Sequence, residues 1–295
     1  MRRSVWSDRA LVEDRPGRGQ AFQARTPRVG PATRGRLPRY MPGITTSILA
    51  AWAALLASAA GCEAPRAVEV PPPPPGTSAY DVFFIGNSLT YQNDLPGTLA
   101  GIAASAGDII RVRSVAAPNL ALIDHLNGQT NALAVIGRGG WEYVVLQQGP
   151  STLPVNRDTL TLATRLFAPS IRAIGGRPAL FMVWPDRSRL EYFDEVRISY
   201  QQAAQAVGGL FLPAGQAWRR AWIADPGLAL YGSDGFHPSP LGTFLAALVM
   251  YERITGHDAQ NLPPTATVSG RPLNLPGSTV RLLQRAAHEA NAQFP

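Results

Sequence analysis

Short apolar segments alternate with helical segments between residues 80 and 256, and this alternation limits the chain to a few folds. Five segments have the length and composition of buried strands: 81–85, 109–115, 143–146, 179–184 and 210–212. Five others have helical periodicity: 95–106, 120–136 (broken near Asn127-Gly128), 159–174, 190–207 and 241–254. Strands separated by helices form parallel sheets covered on both faces. We therefore predict an α/β fold with a parallel five-stranded sheet.

The sequence divides into four parts around this domain. The domain itself is predicted to cover residues 79–260, which is long enough for one complete hydrophobic core. Residues 259–277 are rich in proline and lack periodicity, whereas residues 280–290 have the pattern of a short amphipathic helix. We expect residues 261–295 to form a C-terminal extension whose helix packs back onto the domain.

The first 61 residues have the pattern of an Arg-rich head followed by an export signal. An apolar run at residues 44–60 is too short for a typical membrane span and ends in small residues before Gly61-Cys62. This segment resembles a bacterial lipoprotein signal, which implies that Cys62 is lipidated. The alternative is an ordinary secretory signal that leaves Cys62 as a free thiol. A translation start at Val29 would leave a compact positive region before the apolar run.

A proline-rich linker is predicted at residues 62–78. It contains five consecutive prolines, Pro71 to Pro75, which favour a stiff polyproline II spacer. Together with a lipid at Cys62, such a spacer would hold the domain away from a membrane. We therefore expect an exported protein of the bacterial periplasm or outer surface, anchored to a membrane through that lipid.

The net charge of +7 does not indicate nucleic-acid binding. Residues 1–41 contain ten of the 27 basic residues, all arginine, and only three acidic residues. The remaining chain has 17 basic and 17 acidic residues and is neutral. A neutral domain lacks the basic surface by which proteins bind DNA or RNA, so no nucleic-acid partner is expected.

The sequence offers no pattern for a metal or cofactor. No His, Asp or Glu cluster has metal-ligand spacing, and neither a Walker-type loop nor a GxGxxG loop is present. His257-Asp258 is predicted to lie in a solvated turn, and His125 to form a surface pair with Asp124. His288 lies among polar residues of the terminal helix. We therefore predict no metal site and no cofactor.

Ser88 follows the first predicted strand in the turn Gly86-Asn87-Ser88. Ligands of open parallel sheets bind beyond the carboxyl ends of the strands, so Ser88 is placed where chemistry occurs. A serine at this position can also simply cap the following helix. The turn alone does not decide between a nucleophile and a cap.

A second motif, Asp234-Gly-Phe-His237-Pro-Ser239, precedes the last large helix of the domain. A serine hydroxyl needs a base to remove its proton, and histidine has a suitable pKa for this near neutral pH. A carboxylate on the other ring nitrogen orients the imidazole, and an aspartate three residues earlier can reach it within one loop. The alternative is a turn with an exposed histidine.

Together, GNSLTYQNDLP at residues 86–96 and DGFHPSPLG at residues 234–242 resemble the first and last sequence blocks of the SGNH/GDSL hydrolases. This resemblance implies a flavodoxin-like three-layer α/β/α sandwich and ester hydrolysis through an acyl-serine. It implies Ser88 as the nucleophile, His237 as the base and Asp234 as the residue that orients it.

The middle blocks of the family match less well. The family's second block supplies a glycine whose backbone N–H binds the oxyanion, and here Ala117 is the nearest match. Its third block supplies an asparagine side chain, and here Gln147 or Gln148 follows the third strand. The resemblance thus implies an oxyanion hole formed by the N–H groups of Ser88 and Ala117 and one glutamine amide. The alternative for both glutamines is capping of the strand end.

These observations predict a serine esterase that hydrolyses carboxylic esters of a small molecule or a polysaccharide, with short acyl groups on carbohydrate preferred. Two alternatives remain open at this stage. One is a non-catalytic lipoprotein that keeps the fold and binds glycan. The other is an acyltransferase that passes the acyl group to a sugar instead of to water.

Overall fold

The computed structural model describes residues 79–295. The predicted head at residues 1–61, the linker at 62–78 and the lipidation at Cys62 lie outside the described residues. Among residues 79–295, no helix combines the length and the apolar character that a membrane span requires.

A five-stranded, wholly parallel sheet forms the centre of the domain. Its strands are β1 (Ala79–Gly86), β2 (Ile109–Ala116), β3 (Tyr143–Leu146), β4 (Arg177–Phe181) and β5 (Leu210–Leu212). They lie in the order β2-β1-β3-β4-β5, which is the flavodoxin-like order. The chain direction across the sheet reverses between β1 and β3, and this switch point places a ligand crevice at their carboxyl ends. The predicted fold class is confirmed.

Helices flank the sheet and pack against it. They are α1 (Ser88–Tyr91), α2 (Leu95–Ser105), α3 (Leu122–Asp124), α4 (Ala132–Ile136), α5 (Pro154–Ala173), α6 (Phe193–Gln205), α7 (Ala214–Ala224), α8 (Pro240–Thr255) and α9 (Gly277–Gln293). A π-helical turn at His125–Gln129 interrupts the helical region after α3, at the break predicted near Gly128, whose φ is +85°. The central strands β1, β3 and β4 are buried except at their first residues, and most of α8 is buried as well.

Two helices at the carboxyl edge of the sheet begin at residues that are suited to cap a helix. Asn87 caps α1 by accepting from Leu89 N, and Ser239 caps α8 by accepting from Gly242 N. Pro240 takes the first helical position of α8, where its missing N–H is not needed. Asn87 directly precedes Ser88, and Ser239 lies two residues after His237, so the same loops begin a helix and carry a predicted catalytic residue.

The C-terminal region is more ordered than its sequence predicts. Strands β6 (Ala266–Val268) and β7 (Arg271–Leu273) form an antiparallel hairpin in the proline-rich segment. Its turn has positive φ at both Ser269 and Gly270, which gives a two-residue hairpin connection. Three-residue strands are too short to show periodicity. Helix α9 spans 17 residues and packs against α7 and α8, which confirms that it folds back onto the domain.

Candidate active site

Asn87 holds the turn that presents Ser88. Its backbone N–H donates to Gln147 Oε1 at 2.9 Å, and its Nδ2 donates to the carbonyl of Leu120 at 3.0 Å. Its Oδ1 accepts from both Leu89 N and Gln147 Nε2. These bonds connect β1 with the loops after β2 and β3, and Ser88 follows as the partly exposed first residue of α1. The hydroxyl therefore stands on a rigid support at the carboxyl edge of the sheet.

Asp234 and His237 form a hydrogen-bonded pair within one loop. His237 Nδ1 lies 2.6 Å from Asp234 Oδ2. Because a carboxylate only accepts, Nδ1 carries the hydrogen and Nε2 presents its lone pair. Asp234 Oδ1 also accepts from the backbone N–H groups of Phe236 and His237, each at 3.0 Å. The pair is thus oriented for a base that acts through Nε2.

The hydrogen bonds to Asp234 stabilise its ionised form. The bond from His237 lowers the pKa of the Asp234 carboxyl most, the backbone N–H groups lower it further, and the result is a pKa of about 2. The carboxylate therefore stays charged across the neutral range, where it can stabilise an imidazolium that forms during catalysis.

The loop around His237 is supported from behind by aromatic residues. Trp184 Nε1 donates to the carbonyl of Phe236 at 3.0 Å, and the Trp184 ring stacks on Trp218 with centroids 3.6 Å apart. Gly232 N donates to the carbonyl of His237 at 2.8 Å. Trp184 and Trp218 are fully buried, so Trp184 acts as core packing that fixes the loop and does not line the pocket.

Asn93 connects the Ser88 region to the His237 loop. Its Nδ2 donates to the carbonyl of Pro238 at 2.8 Å and to Thr243 Oγ1 at 2.9 Å. Its backbone is left-handed, with φ at +52°, a conformation that asparagine adopts more readily than most residues. Two loops about 150 residues apart in sequence therefore lie side by side. The contact that Asn93 makes with the His237 loop was not predicted, because its only signal in the sequence is its position between the serine turn and helix α2.

No hydrogen bond joins the Ser88 hydroxyl to His237 within residues 79–295. Such bonds are often long in unliganded sites and shorten when substrate binds. The structure therefore ties the His237 loop to Asn93 but shows no direct contact between Ser88 and His237.

A cavity of about 340 Å³ opens beside Ser88. Neutral polar side chains line much of its wall, together with Phe236, Leu120 and Pro150. The polar lining residues are Asn87, Ser88, Asn119, Gln148, Ser151, Asn156 and Thr159. None of the residues that line the cavity is charged. The cavity is thus suited to a neutral ligand that offers hydroxyl or carbonyl groups.

The predicted oxyanion donors other than Ser88 are engaged elsewhere. Gln147 is fully buried, and its Nε2 donates to Asn87 Oδ1 and to the carbonyl of Gln148. Gln148 Nε2 donates to Ser151 Oγ at 2.8 Å and to a backbone carbonyl at 3.3 Å. Ala117 N donates to the carbonyl of Gly86 at 3.2 Å. This arrangement favours structural roles for the glutamines and for the Ala117 N–H.

Several backbone N–H groups at the cavity have no partner in the described part of the chain, and those of Ser88 and Asn119 are among them. Asn119 has φ at +61°, the left-handed conformation that favours glycine. Its backbone therefore takes a conformation that most residues other than glycine avoid. The pair Pro118-Asn119 was a signal for this, since asparagine is the side chain that best tolerates such a turn.

His125 corrects the predicted surface pair with Asp124. The side chain is buried, with only 1% exposed. Its Nε2 lies 3.0 Å from the carbonyl of Gly86, and its Nδ1 lies 2.8 Å from Thr130 Oγ1. Burial lowers the pKa of the imidazole, so the neutral ring donates through Nε2 to the last residue of β1. His125 therefore supports the turn that precedes Ser88.

The two remaining histidines of the described region lie outside this cavity. His257 is half-exposed and its Nδ1 lies 2.8 Å from Asp108 Oδ2. His288 Nδ1 lies near carboxylate oxygens of Glu252 and Asp258. These two carboxylates and the imidazole converge in space, although their sequence spacing gave no indication of it.

No family model and no curated protein matches the chain. Solved structures do match. A protein from Slackia heliotrinireducens that is assigned to the SGNH hydrolases is 28% identical with a TM-score of 0.51, and the match covers 60% of this chain and 100% of that one. A DUF4886 family protein from Bacteroides uniformis is 17% identical with a TM-score of 0.62, and the match covers 72% of this chain and 95% of that one. The structural neighbours of this chain are thus SGNH hydrolase-like proteins.

Proposed function

We propose that the chain is a serine esterase that cleaves carboxylic esters through an acyl-serine intermediate. His237 Nε2 takes the proton of the Ser88 hydroxyl while Oγ attacks the ester carbonyl. The imidazolium, stabilised by Asp234, then protonates the leaving alcohol as the tetrahedral intermediate collapses. A water molecule, deprotonated by the same imidazole, attacks the acyl-serine and releases the acid and the free hydroxyl.

The observation that carries this proposal is the 2.6 Å bond between His237 Nδ1 and Asp234 Oδ2 on a loop that Asn93 ties to the serine side. A solvated turn would need neither the short bond nor the tie. The arrangement instead fixes the tautomer that leaves Nε2 free to accept a proton. Similarity to an SGNH hydrolase from another bacterium supports the same reaction class.

For the oxyanion we propose the backbone N–H groups of Ser88 and Asn119. Both lie on loops at the cavity and neither has a recorded partner within residues 79–295. The N–H of Ser88 is also one of the first N–H groups of α1, which have no acceptor inside the helix. Ala117, Gln147 and Gln148 serve in this proposal to hold the two loops that carry these donors.

For the substrate we propose short acyl groups on a neutral carbohydrate. The uncharged polar wall of the cavity offers amides and hydroxyls to sugar hydroxyls, and Phe236 offers an apolar face to a sugar ring. A volume of about 340 Å³ leaves little room for a long acyl chain beside a sugar.

For location we propose export and a lipid anchor at Cys62. Loss of palmitate incorporation in Cys62→Ala cells, with the protein still exported, would support the anchor.

Ser88→Ala tests the activity directly. We expect this variant to fold normally and to lose hydrolysis of both p-nitrophenyl acetate and an acetylated oligosaccharide. Ser278→Ala, at an exposed serine on α9, is the matched control and should keep full activity. Unchanged hydrolysis in Ser88→Ala would rule out the mechanism.

A fluorophosphonate probe separates the alternatives. Labelling of the wild type, but not of Ser88→Ala, shows an activated serine and excludes a protein that only binds glycan. Absence of labelling and of hydrolysis in the wild type would favour the binding protein. Transfer of the acyl group to an added sugar, seen by product analysis, would identify an acyltransferase.

A further inference from the structure

Three potential metal ligands converge far from the serine. Glu252 lies in the last turn of α8, Asp258 precedes the short 3-10 turn Ala259–Asn261, and His288 lies on α9. His288 Nδ1 is 3.1 Å from Glu252 Oε1 and 3.3 Å from Asp258 Oδ1. All three ligand atoms lie within 4.8 Å of one another. Three separate elements of the fold thus direct one nitrogen and two oxygens to a common point.

A hydrogen on His288 Nδ1 cannot form a short bond to both neighbouring carboxylates at once. One hydrogen on His288 Nδ1 faces two carboxylates, and both distances exceed those of the other histidine–carboxylate pairs. Those pairs, His237 with Asp234 and His257 with Asp108, have bonds of 2.6 Å and 2.8 Å. A divalent cation would instead bind both carboxylates and the neutral imidazole at once and would balance the two negative charges.

The distances suit zinc. Zinc binds nitrogen and oxygen ligands at about 2.0–2.2 Å in a tetrahedron, which places neighbouring ligand atoms roughly 3.3–3.5 Å apart. The two distances from His288 Nδ1 are close to this value. Glu252 Oε2 accepts from Ala259 N at 2.9 Å, and Asp258 Oδ1 accepts from Gln260 N at 2.8 Å. These second contacts orient both carboxylates toward the site.

We propose that Glu252, Asp258 and His288 bind a Zn²⁺ ion that fastens the C-terminal helix to α8. Imidazole nitrogen with carboxylate oxygens favours zinc over magnesium or calcium. The side chains of Asp258 and His288 are more than a third exposed, so the ion can enter from solvent and keep a water as fourth ligand. Glu252 lies 12 residues after the start of α8, or about 18 Å along the helix. The ion is thus structural and separate from Ser88.

Zinc titration of the metal-free full chain by calorimetry, with the thermal midpoint Tm as a second readout, tests this site. The protein is first stripped with a chelator. We expect one zinc per chain at micromolar affinity and a rise in Tm of roughly 5 °C at saturating zinc. His288→Gln and Asp258→Asn should lose at least tenfold in zinc affinity while keeping the circular dichroism spectrum of the wild type.

His257→Gln is the matched control, because it removes a half-exposed histidine that also bonds a carboxylate but lies outside the cluster. It should bind zinc as the wild type does. Absence of stoichiometric binding in the wild type, equal binding by His288→Gln, or an equal loss in His257→Gln would overturn the proposal. So would calcium binding as tight as zinc binding. None of these results depends on esterase activity.

Discussion

Replacement of Asn93 tests whether its bonds to the loop that follows His237 position the His237 side chain. Asn93→Ala removes the bonds to Pro238 O and Thr243 Oγ1, at about 1 kcal/mol each. It also places alanine at φ +52°, which costs about 1 kcal/mol more. Asn93→Gly removes the same bonds but accepts this backbone without strain. The free energy of unfolding should therefore fall by about 3 kcal/mol for alanine and about 2 kcal/mol for glycine.

Urea unfolding followed by tryptophan fluorescence measures both losses, since Trp184 and Trp218 are buried in the core. With a slope of about 2 kcal/mol per molar urea, the midpoints should fall by about 1.5 M and 1 M. Esterase kcat/KM, measured well below the unfolding transition, should fall about 100-fold in both variants, because a 1 Å displacement of a catalytic group costs that much. Asn274→Ala, at an exposed asparagine with no recorded side-chain bond in the described region, should change neither quantity.

The comparison between Asn93→Ala and Asn93→Gly tests the positioning role of Asn93. If both keep wild-type kcat/KM, the bonds from Asn93 do not position the His237 loop. If alanine and glycine destabilise equally, the left-handed backbone carries no cost at this residue. A loss of activity that merely follows the fraction of unfolded protein would also refute a positioning role.

Three other sites give further predictions. Asp234→Asn should lower kcat about 10⁴-fold without unfolding the protein, because the imidazole loses its correct tautomer; circular dichroism and ester hydrolysis check this. The lowered pKa of Asp234, about 2, means that its contribution to stability is present above its unfolded pKa of about 4 and is lost as the pH falls toward 2. The difference in urea midpoint between wild type and Asp234→Asn should therefore shrink from pH 6 to pH 2.5. Gly86→Ala should cost about 3 kcal/mol in urea unfolding, because the added methyl overlaps Thr90 Oγ1 and Gln147 Oε1. Asn119→Gly should retain most of the activity and Asn119→Ala should lose it, since glycine adopts φ +61° without strain and alanine does not; equal losses in kcat would assign the oxyanion contact to the side chain.

Features that depend on neighbouring residues could be predicted from the sequence. The strands and most helices follow from local apolar patterns, and the pair of Asp234 with His237 closes within four residues. The order of the strands in the sheet does not follow from local patterns, and its prediction came from the resemblance to the SGNH/GDSL hydrolases. Helix α5 begins at Pro154, five residues before the predicted start, and proline suits this first position because its missing N–H needs no acceptor there.

Features that depend on distant partners could not be predicted. Gln147 has the amide expected of an oxyanion donor, but this amide donates to the side chain of Asn87, sixty residues earlier. His125 follows Asp124 in the sequence, and a histidine next to an acidic residue is expected at the surface. Its side chain is instead buried and bonds the carbonyl of Gly86. In both cases the hydrogen bonds of a polar side chain support the turn Gly86-Asn87-Ser88.

The same requirement explains why the donors left over are backbone groups. The Gln147 side chain from the loop after β3 and the Leu120 carbonyl from the loop after β2 both bond Asn87 in the turn after β1, so the amides of Gln147 and Asn87 have few hydrogens to spare for a ligand. Backbone N–H groups remain free only where the chain leaves regular structure, as at the first residue of α1 and at the left-handed Asn119. A rigid nucleophile turn and an oxyanion hole made of side chains therefore compete for the same amides. In this chain the amides stabilise the turn, and the proposed mechanism therefore leaves the charge of its intermediate to the backbone N–H groups.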